Sequence, residues 1–412
     1  MQRPSRCSVD YFLHRVFLLR RRASWGKALQ FVIAITLTVV LVYFAAVHVA
    51  LPIMAHQASS GGLDFEAPVK PPLLATASTV QVGAESIPSL SFKILQIPDM
   101  HYTGHPDFPC RNPPQNLVGP CTEANMTSFI ASLLDDERPD FVVFSGDQIE
   151  SVEVHHTVFQ VNKALYDFSK EVIQRSIPWS MVFGNHDEGD PMSKRDMFRR
   201  INAMPFSYSD YGAFGTRVGN YALHVEAPSD GPWGPHGKVL FRLYFLDSEH
   251  GQFTPEQRHF ASTVAARHAH QHAPAIMFFH NPIPEYAAYN AAASSTHGRQ
   301  GEPVSHAHAN SGMFDTIVQM GDVKAAFVGH DHLNDYCFKK DALHLCFGGG
   351  VGYGAAYGHM DIPRRARVIE WKWTPARETI TTYLHAHGRT RSNDYVIYSE
   401  SVASSRSNLR IH

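Results

Sequence analysis

Seven residues able to ligate metal ions stand in five short clusters along the 412-residue chain: Asp99-Met100-His101, Gly146-Asp147, Gly184-Asn185-His186-Asp187, His280 and Gly329-His330-Asp331-His332. On an extended strand end alternate side chains point the same way, so Asp99 and His101 can reach one ion. His330 and His332 share that spacing and can serve adjacent ions if the backbone turns between them. Asp147 carries two carboxylate oxygens and can bridge two cations, Asn185 offers an amide oxygen and His280 an imidazole. Each cluster alone has an ordinary explanation, such as a polar loop or a hydrogen-bonded histidine. Five of them in order point to one shared site. Mixed imidazole and carboxylate ligation suits Mn, Fe or Zn better than Ca or Mg. Two such cations roughly 3.5–4 Å apart neutralise a phosphate ester and acidify a water. His186, beside Asn185, is placed to protonate the departing alkoxide, so His186 and Asp147 are the expected catalytic residues. Asp187 and Glu188 could tune His186 or serve as ordinary loop carboxylates.

These clusters need elements to hold them. Each follows a short apolar run: Phe92 to Ile97, Phe141 to Phe144, Trp179 to Phe183, Ala275 to Phe279 and Ala325 to Val328, with a sixth run, Leu240 to Leu246, ending at Asp247. Such runs, bounded by Gly and polar residues, suit strands buried on both faces. Helix-like stretches at Asn125 to Asp136 and Val158 to Gln174 lie between them. The alternation predicts an α/β fold with a mixed, partly parallel sheet and functional groups at the carboxyl ends of strands. Ala287 to Asn310 reads as a long loop on the rim of the site.

The ordered set resembles the calcineurin-like metallophosphoesterase superfamily, whose pattern runs D-x-H, G-D, G-N-H-D or G-N-H-E, a single H, then G-H-x-H. The resemblance covers roughly residues 90 to 388. It implies a four-layer α/β/β/α sandwich with mixed sheets. It also implies one ion on Asp99, His101, Asp147 and His332 and another on Asp147, Asn185, His280 and His330, with Asp147 bridging. Asn310-Ser311-Gly312-Met313-Phe314, Gly321-Asp322-Val323-Lys324, Gly329 to Asp335, and Phe347-Gly348-Gly349-Gly350 followed by Arg364-Arg365-Ala366-Arg367 look like the small, single-domain branch of purple acid phosphatase-like proteins. Purple enzymes carry Tyr three residues after the bridging Asp, as an iron ligand. Here that position is Glu150, which argues against a ferric-tyrosinate centre. Glu150 could touch the metal or a bound water, but the simpler expectation is that it faces solvent. Arg364, Arg365 and Arg367 are expected on a solvated strand edge. Asn310 could hydrogen-bond substrate, although an Asn-Ser-Gly turn is the simpler account.

A net charge of -2 gives no electrostatic case for nucleic acid as a partner. Phe31 to Ala55 is long and apolar enough to span a ~30 Å hydrocarbon core, and Arg20, Arg21, Arg22 and Lys27 precede it. The expected organisation is a cytosolic basic tail (1–28), a transmembrane signal anchor (29–55), a flexible stem (56–88), a catalytic domain (89–390) and a polar tail (391–412). The catalytic domain would then be lumenal or extracellular in a single-pass membrane protein. That compartment permits local disulfides pairing Cys110 with Cys121 and Cys337 with Cys346, one of three possible pairings. Asn125-Met126-Thr127 is a candidate glycosylation sequon. The expected function is a dinuclear phosphomonoesterase with two divalent or mixed-valence Mn, Fe or Zn ions. Its substrate would be a phosphorylated small molecule or phosphoprotein. A phosphodiesterase acting on nucleotides or lipid headgroups, or an inactive receptor built on the same fold, are the competing readings.

Overall fold

The protein is described by a computed structural model covering residues 36–38 and 70–402, apart from 116, 118, 213–216 and 294–295. The chain divides into two units, Met1–Glu66 and Ala67–His412. In the first, residues 36–38 are an exposed helical piece. Among the described residues no helix is long and apolar enough to cross a membrane, and the expected span 29–55 lies otherwise outside them.

The second unit contains strands β1 (Leu73–Leu74), β2 (Thr76–Val82), β3 (Glu85–Ile97), β4 (Phe141–Ser145), β5 (Trp179–Val182), β6 (Tyr221–Glu226), β7 (Val239–Phe245) and β8 (Ala275–Phe278). They continue with β9 (Thr296–His297), β10 (Val323–Val328), β11 (Cys337–Lys340), β12 (Leu343–Phe347), β13 (Arg365–Trp373), β14 (Arg377–Ala386) and β15 (Arg389–Ser401). One mixed sheet runs β1-β6-β7-β8-β10-β12-β11-β9; the other runs β15-β14-β13-β3-β4-β5, with β2 also paired to β3. The site-bearing strands are parallel within each sheet: β3, β4 and β5 in one, β7, β8 and β10 in the other. Their carboxyl ends therefore gather on one side of each sheet.

Side-chain alternation explains the layering. Phe241, Leu243, Phe245, Ile276, Phe278 and Phe327 of one sheet share a core with Phe92, Ile94 and Trp371 of the other. The rings of Phe241 and Trp371 stack across the interface, 6.0 Å apart. The opposite side chains, Tyr244, Met277 and Ala326, pack with Met313, Phe314 and Ile317 of α5 (Met313–Met320) and Ala261 of α4 (Pro255–His268). On the other side, Phe129, Ile130 and Leu133 of α1 (Glu123–Glu137) and Val161, Leu165 and Phe168 of α2 (Val158–Gln174) join the core around β4. The order is helix, sheet, sheet, helix. A further helix, α3 (Lys194–Ala203), follows β5.

Local chemistry sets the helix starts. The Asn125 side chain accepts the Thr122 N–H at 2.8 Å, so the sequon asparagine also caps α1. Thr157 and Thr254 accept backbone N–H groups at the starts of α2 and α4, and Pro255 pre-sets the first turn of α4.

Three expectations need correction. The stem does not extend to residue 88, because Thr76–Val82 and Glu85–Ile97 already form an antiparallel hairpin. The tail from 391 is strand as far as Ser401, paired to β14 and burying Tyr395 and Ile397, a pairing that the polar composition hid. Arg364, Arg365 and Arg367 are not solvated, being only 3%, 4% and 1% exposed. Their heads turn inward to bond backbone carbonyls: Arg364 to Gly352, Arg367 to Phe347 and Asp335. Arg365 pairs with the Asp335 carboxylate at 2.6 Å. Both disulfides, Cys110–Cys121 and Cys337–Cys346, are formed, the second between directly opposed residues of β11 and β12.

Candidate metal centre

The seven expected ligands converge where the two sheets meet. Asp99 and His101 follow β3, Asp147 follows β4, and Asn185 follows β5. His280 follows β8, and His330 and His332 follow β10. One-atom donor groups form from Asp99, His101 and His332, from Asp147, His280 and His330, and from His101, Asp147 and His186. The donor atoms within each group lie within 4.8 Å of one another. The first two groups each contain three of the four residues that the resemblance implies for one ion.

The expected strand-end alternation does not hold at Asp99 and His101. Neither sits on extended backbone. Asp99, His101, Asp147 and His330 have φ of 54°, 52°, 52° and 76°, in the left-handed region. Each costs free energy and is held by its surroundings. The glycines of the motifs make room for the ligands. A Cβ on Gly146 would lie 2.0 Å from His280 Nδ1, and one on Gly184 would lie 2.1 Å from Asp147 Oδ1.

Three imidazoles are anchored in the same way. His280 Nδ1 donates to the Ser145 carbonyl at 3.0 Å, and His332 Nδ1 to the Tyr357 carbonyl at 2.9 Å. His101 Nδ1 donates to Glu150 at 2.8 Å. A carbonyl or carboxylate accepts, so Nδ1 carries a proton and Nε2 is the nitrogen that faces inward. His101 Nε2 and His332 Nε2 lie 3.3 Å apart, and His280 Nε2 lies 3.2 Å from Asp147 Oδ2. Lone pairs this close repel unless a cation or proton stands between them. Among the described residues the buried Asp99 Oδ2 has no hydrogen-bond partner. Inward Nε2 atoms, buried carboxylates and an unpaired oxygen fit metal ligation, with Nδ1 partners of the kind that orient ligand histidines.

Glu150 is a correction. It is 1% exposed, not solvent-facing. Its Oε2 accepts from His101 and its Oε1 accepts from His186 Nδ1 at 2.9 Å. Burial raises its pKa, but the bonds and charges of the two histidines outweigh that and hold it well below the usual range. Burial lowers His186, yet the Glu150 bond and the charges of Asp147 and Glu150 lift it to about 9. Asp187 is a buried loop carboxylate. It accepts backbone N–H bonds from Asp147, Gln148, Ile149 and Gly184 at 3.0, 2.8, 3.1 and 2.7 Å. It thereby ties the loop after β5 to the loop after β4. Burial and the neighbouring Asp147 charge push its pKa up to about 6. Glu188 accepts the Lys194 N–H at the rim. Asn310 is exposed and makes the turn, accepting the Gly312 N–H at 2.8 Å.

The expected loop 287–310 contains the short strand β9, and its Glu302 and Ser305 pack on the last ligand segment. Glu302 accepts from Leu333 N–H and Tyr357 hydroxyl, and Ser305 N–H donates to Asp331. Tyr357 stacks on the His332 ring, 3.8 Å between centroids. Nothing in its own sequence setting marked it. Ser248 was also missed. Its hydroxyl accepts the His280 and Asn281 N–H groups at 3.2 and 2.8 Å. It lies just beyond the apolar run that ends at Asp247, which was the available signal.

Fold and site together define a metallophosphoesterase-type architecture. The family profile described as Calcineurin-like phosphoesterase matches residues 92–334, and the chain belongs to that family. It is 32% identical over 303 residues to the Arabidopsis thaliana protein named "Probable inactive purple acid phosphatase 29", spanning 68% of this chain and 76% of that one. It is 29% identical over 326 residues to "Phosphatase DCR2" of Saccharomyces cerevisiae, spanning 71% of this chain and 54% of that one. A dimetal phosphatase from Danio rerio superposes with a TM-score of 0.45 at 14% identity, covering 74% of this chain and 98% of that chain.

Proposed function

We propose that the protein is a dinuclear metal-dependent phosphoester hydrolase acting on phosphomonoesters. The observation that carries this reading is the convergence of inward-facing Nε2 atoms and buried carboxylates from both sheets on two adjoining donor sets. Asp99, His101, Asp147 and His332 would hold one ion, and Asp147, Asn185, His280 and His330 the other. Mn, Fe or Zn suits these donors. When bound, such ions neutralise the phosphate and make water nucleophilic. The rest falls to the chain. Asp147 Oδ1 accepts the His186 N–H at 2.8 Å, which fixes that residue beside the site. Glu150 takes the proton-bearing Nδ1 and stabilises the imidazolium, so Nε2–H can be given to the leaving oxygen. The sequence carries all seven expected donors and His186, which favours catalysis over an inactive scaffold.

The apolar run with its basic flank supports membrane attachment through 29–55. The two disulfides favour an oxidising, lumenal or extracellular setting for the site. Small phosphorylated molecules or phosphoproteins there are the proposed substrates. The test is elemental analysis of the purified chain alongside hydrolysis of an aryl phosphate and a bis-aryl phosphate. Two ions per chain and faster monoester turnover are expected, with both lost in Asp147→Ala and His280→Ala. Full activity in both variants would overturn the proposal.

A further inference from the structure

Asn281 follows His280 and is 4% exposed. Ser248 Oγ accepts its backbone N–H at 2.8 Å and that of His280 at 3.2 Å, so one hydroxyl fixes both residues. Pro282 comes next and restricts the Asn281 backbone. The Asn281 amide nitrogen lies 3.2 Å from Asn185 Oδ1 and 3.2 Å from His330 Nδ1. Both acceptors belong to the second donor set. Nδ1 is thus the edge of His330 that faces the same point as the Asn185 oxygen.

An amide carries two N–H donors. A carbonyl oxygen has two lone pairs and an imidazole nitrogen has one. Asn185 Oδ1 can therefore serve a cation and Asn281 together. His330 Nδ1 can serve only one of them. An ion on Nδ1 releases one Asn281 N–H that the Ser248 and Pro282 anchors keep aimed at the site.

We propose that Asn281 is a positioning and recognition residue, building on the hydrolase reading above. One N–H holds the Asn185 oxygen toward its ion, and the other donates to an oxygen of a tetrahedral oxyanion, the phosphoryl group of substrate or product. A neutral donor suits this place, because an acid would repel the anion.

The test uses the full chain loaded with Mn, with inorganic phosphate as the calorimetric probe and metal content measured in parallel. Asn281→Ala should keep both ions at saturating Mn, weaken phosphate about tenfold and raise KM for an aryl phosphate more than it lowers kcat. Asn281→Asp should weaken phosphate further. A phosphate Kd within twofold of wild type in both variants overturns the role, as does failure of both to hold the second ion. Wild-type protein that takes up neither ions nor phosphate overturns the hydrolase reading itself, and this role with it.

Discussion

Replacing Asp187 by Asn tests whether one buried carboxylate organises the centre. The side chain keeps its shape, but one acceptor oxygen becomes an NH2 group. Whichever way the amide turns, it can satisfy only one of two pairs. Those pairs are the Gln148 and Ile149 N–H groups on Oδ1 and the Asp147 and Gly184 N–H groups on Oδ2. A hydrogen bond to a charged acceptor contributes roughly 1.5–3 kcal/mol, and a stranded buried N–H costs about 1–3 kcal/mol. Two lost bonds therefore amount to about 3–6 kcal/mol. Relief of the cost of burying the charge, and of its repulsion by Asp147, offsets part of this, leaving a net loss of about 1–3 kcal/mol. Urea unfolding of wild type and variant under identical metal-free conditions reads that difference directly. The same displacement moves Asp147, so Mn affinity should fall about 10–100-fold. An unfolding free energy within about 0.5 kcal/mol of wild type, with unchanged Mn affinity, would refute the reasoning.

Glu150→Gln leaves a single oxygen to serve both His101 and His186, so Mn affinity should fall about 10–100-fold with a parallel loss of kcat; unchanged values in titration and steady-state assays would show that the bridge is incidental. Burial raises the Glu137 carboxyl, but bonds from His385 and Tyr383 and the Lys93 charge outweigh it and hold it at about 2. A depressed folded pKa gives stability that is present above the unfolded value near 4.5 and is lost as pH falls through about 2. Wild type should thus exceed Glu137→Gln by up to about 3 kcal/mol at pH 6, with the gap closing toward pH 2 in acid unfolding series.

The strands that carry ligands were legible because burial on both faces leaves unbroken apolar runs, as in β4 and β8, where every residue is buried. The helices α1 and α2 were legible for the same physical reason, through their buried apolar stripes. α4 was not, since it buries only Gln257, Ala261 and Ala265 and shows no such stripe. β2 is exposed along its whole length and so carries no alternation to read. The ligands themselves were readable from order and spacing. The groups that aim them were not. Glu150, Asp187 and Tyr357 act through burial and partners distant in sequence, and an ordinary polar residue looks the same before the chain folds around it.

Gln96 of β3 donates to the Val328 carbonyl of β10 at 3.0 Å, a stitch between the two sheets at the end where the ligands lie. Each proposed ion would be a second fastening there, since each draws donors from both sheets. Metal occupancy then becomes a mechanical property of the sandwich. Ions at a hundred times their dissociation constant would resist parting of the sheets by about 2.7 kcal/mol each, and a chelator would unfasten that end without touching the shared aromatic core.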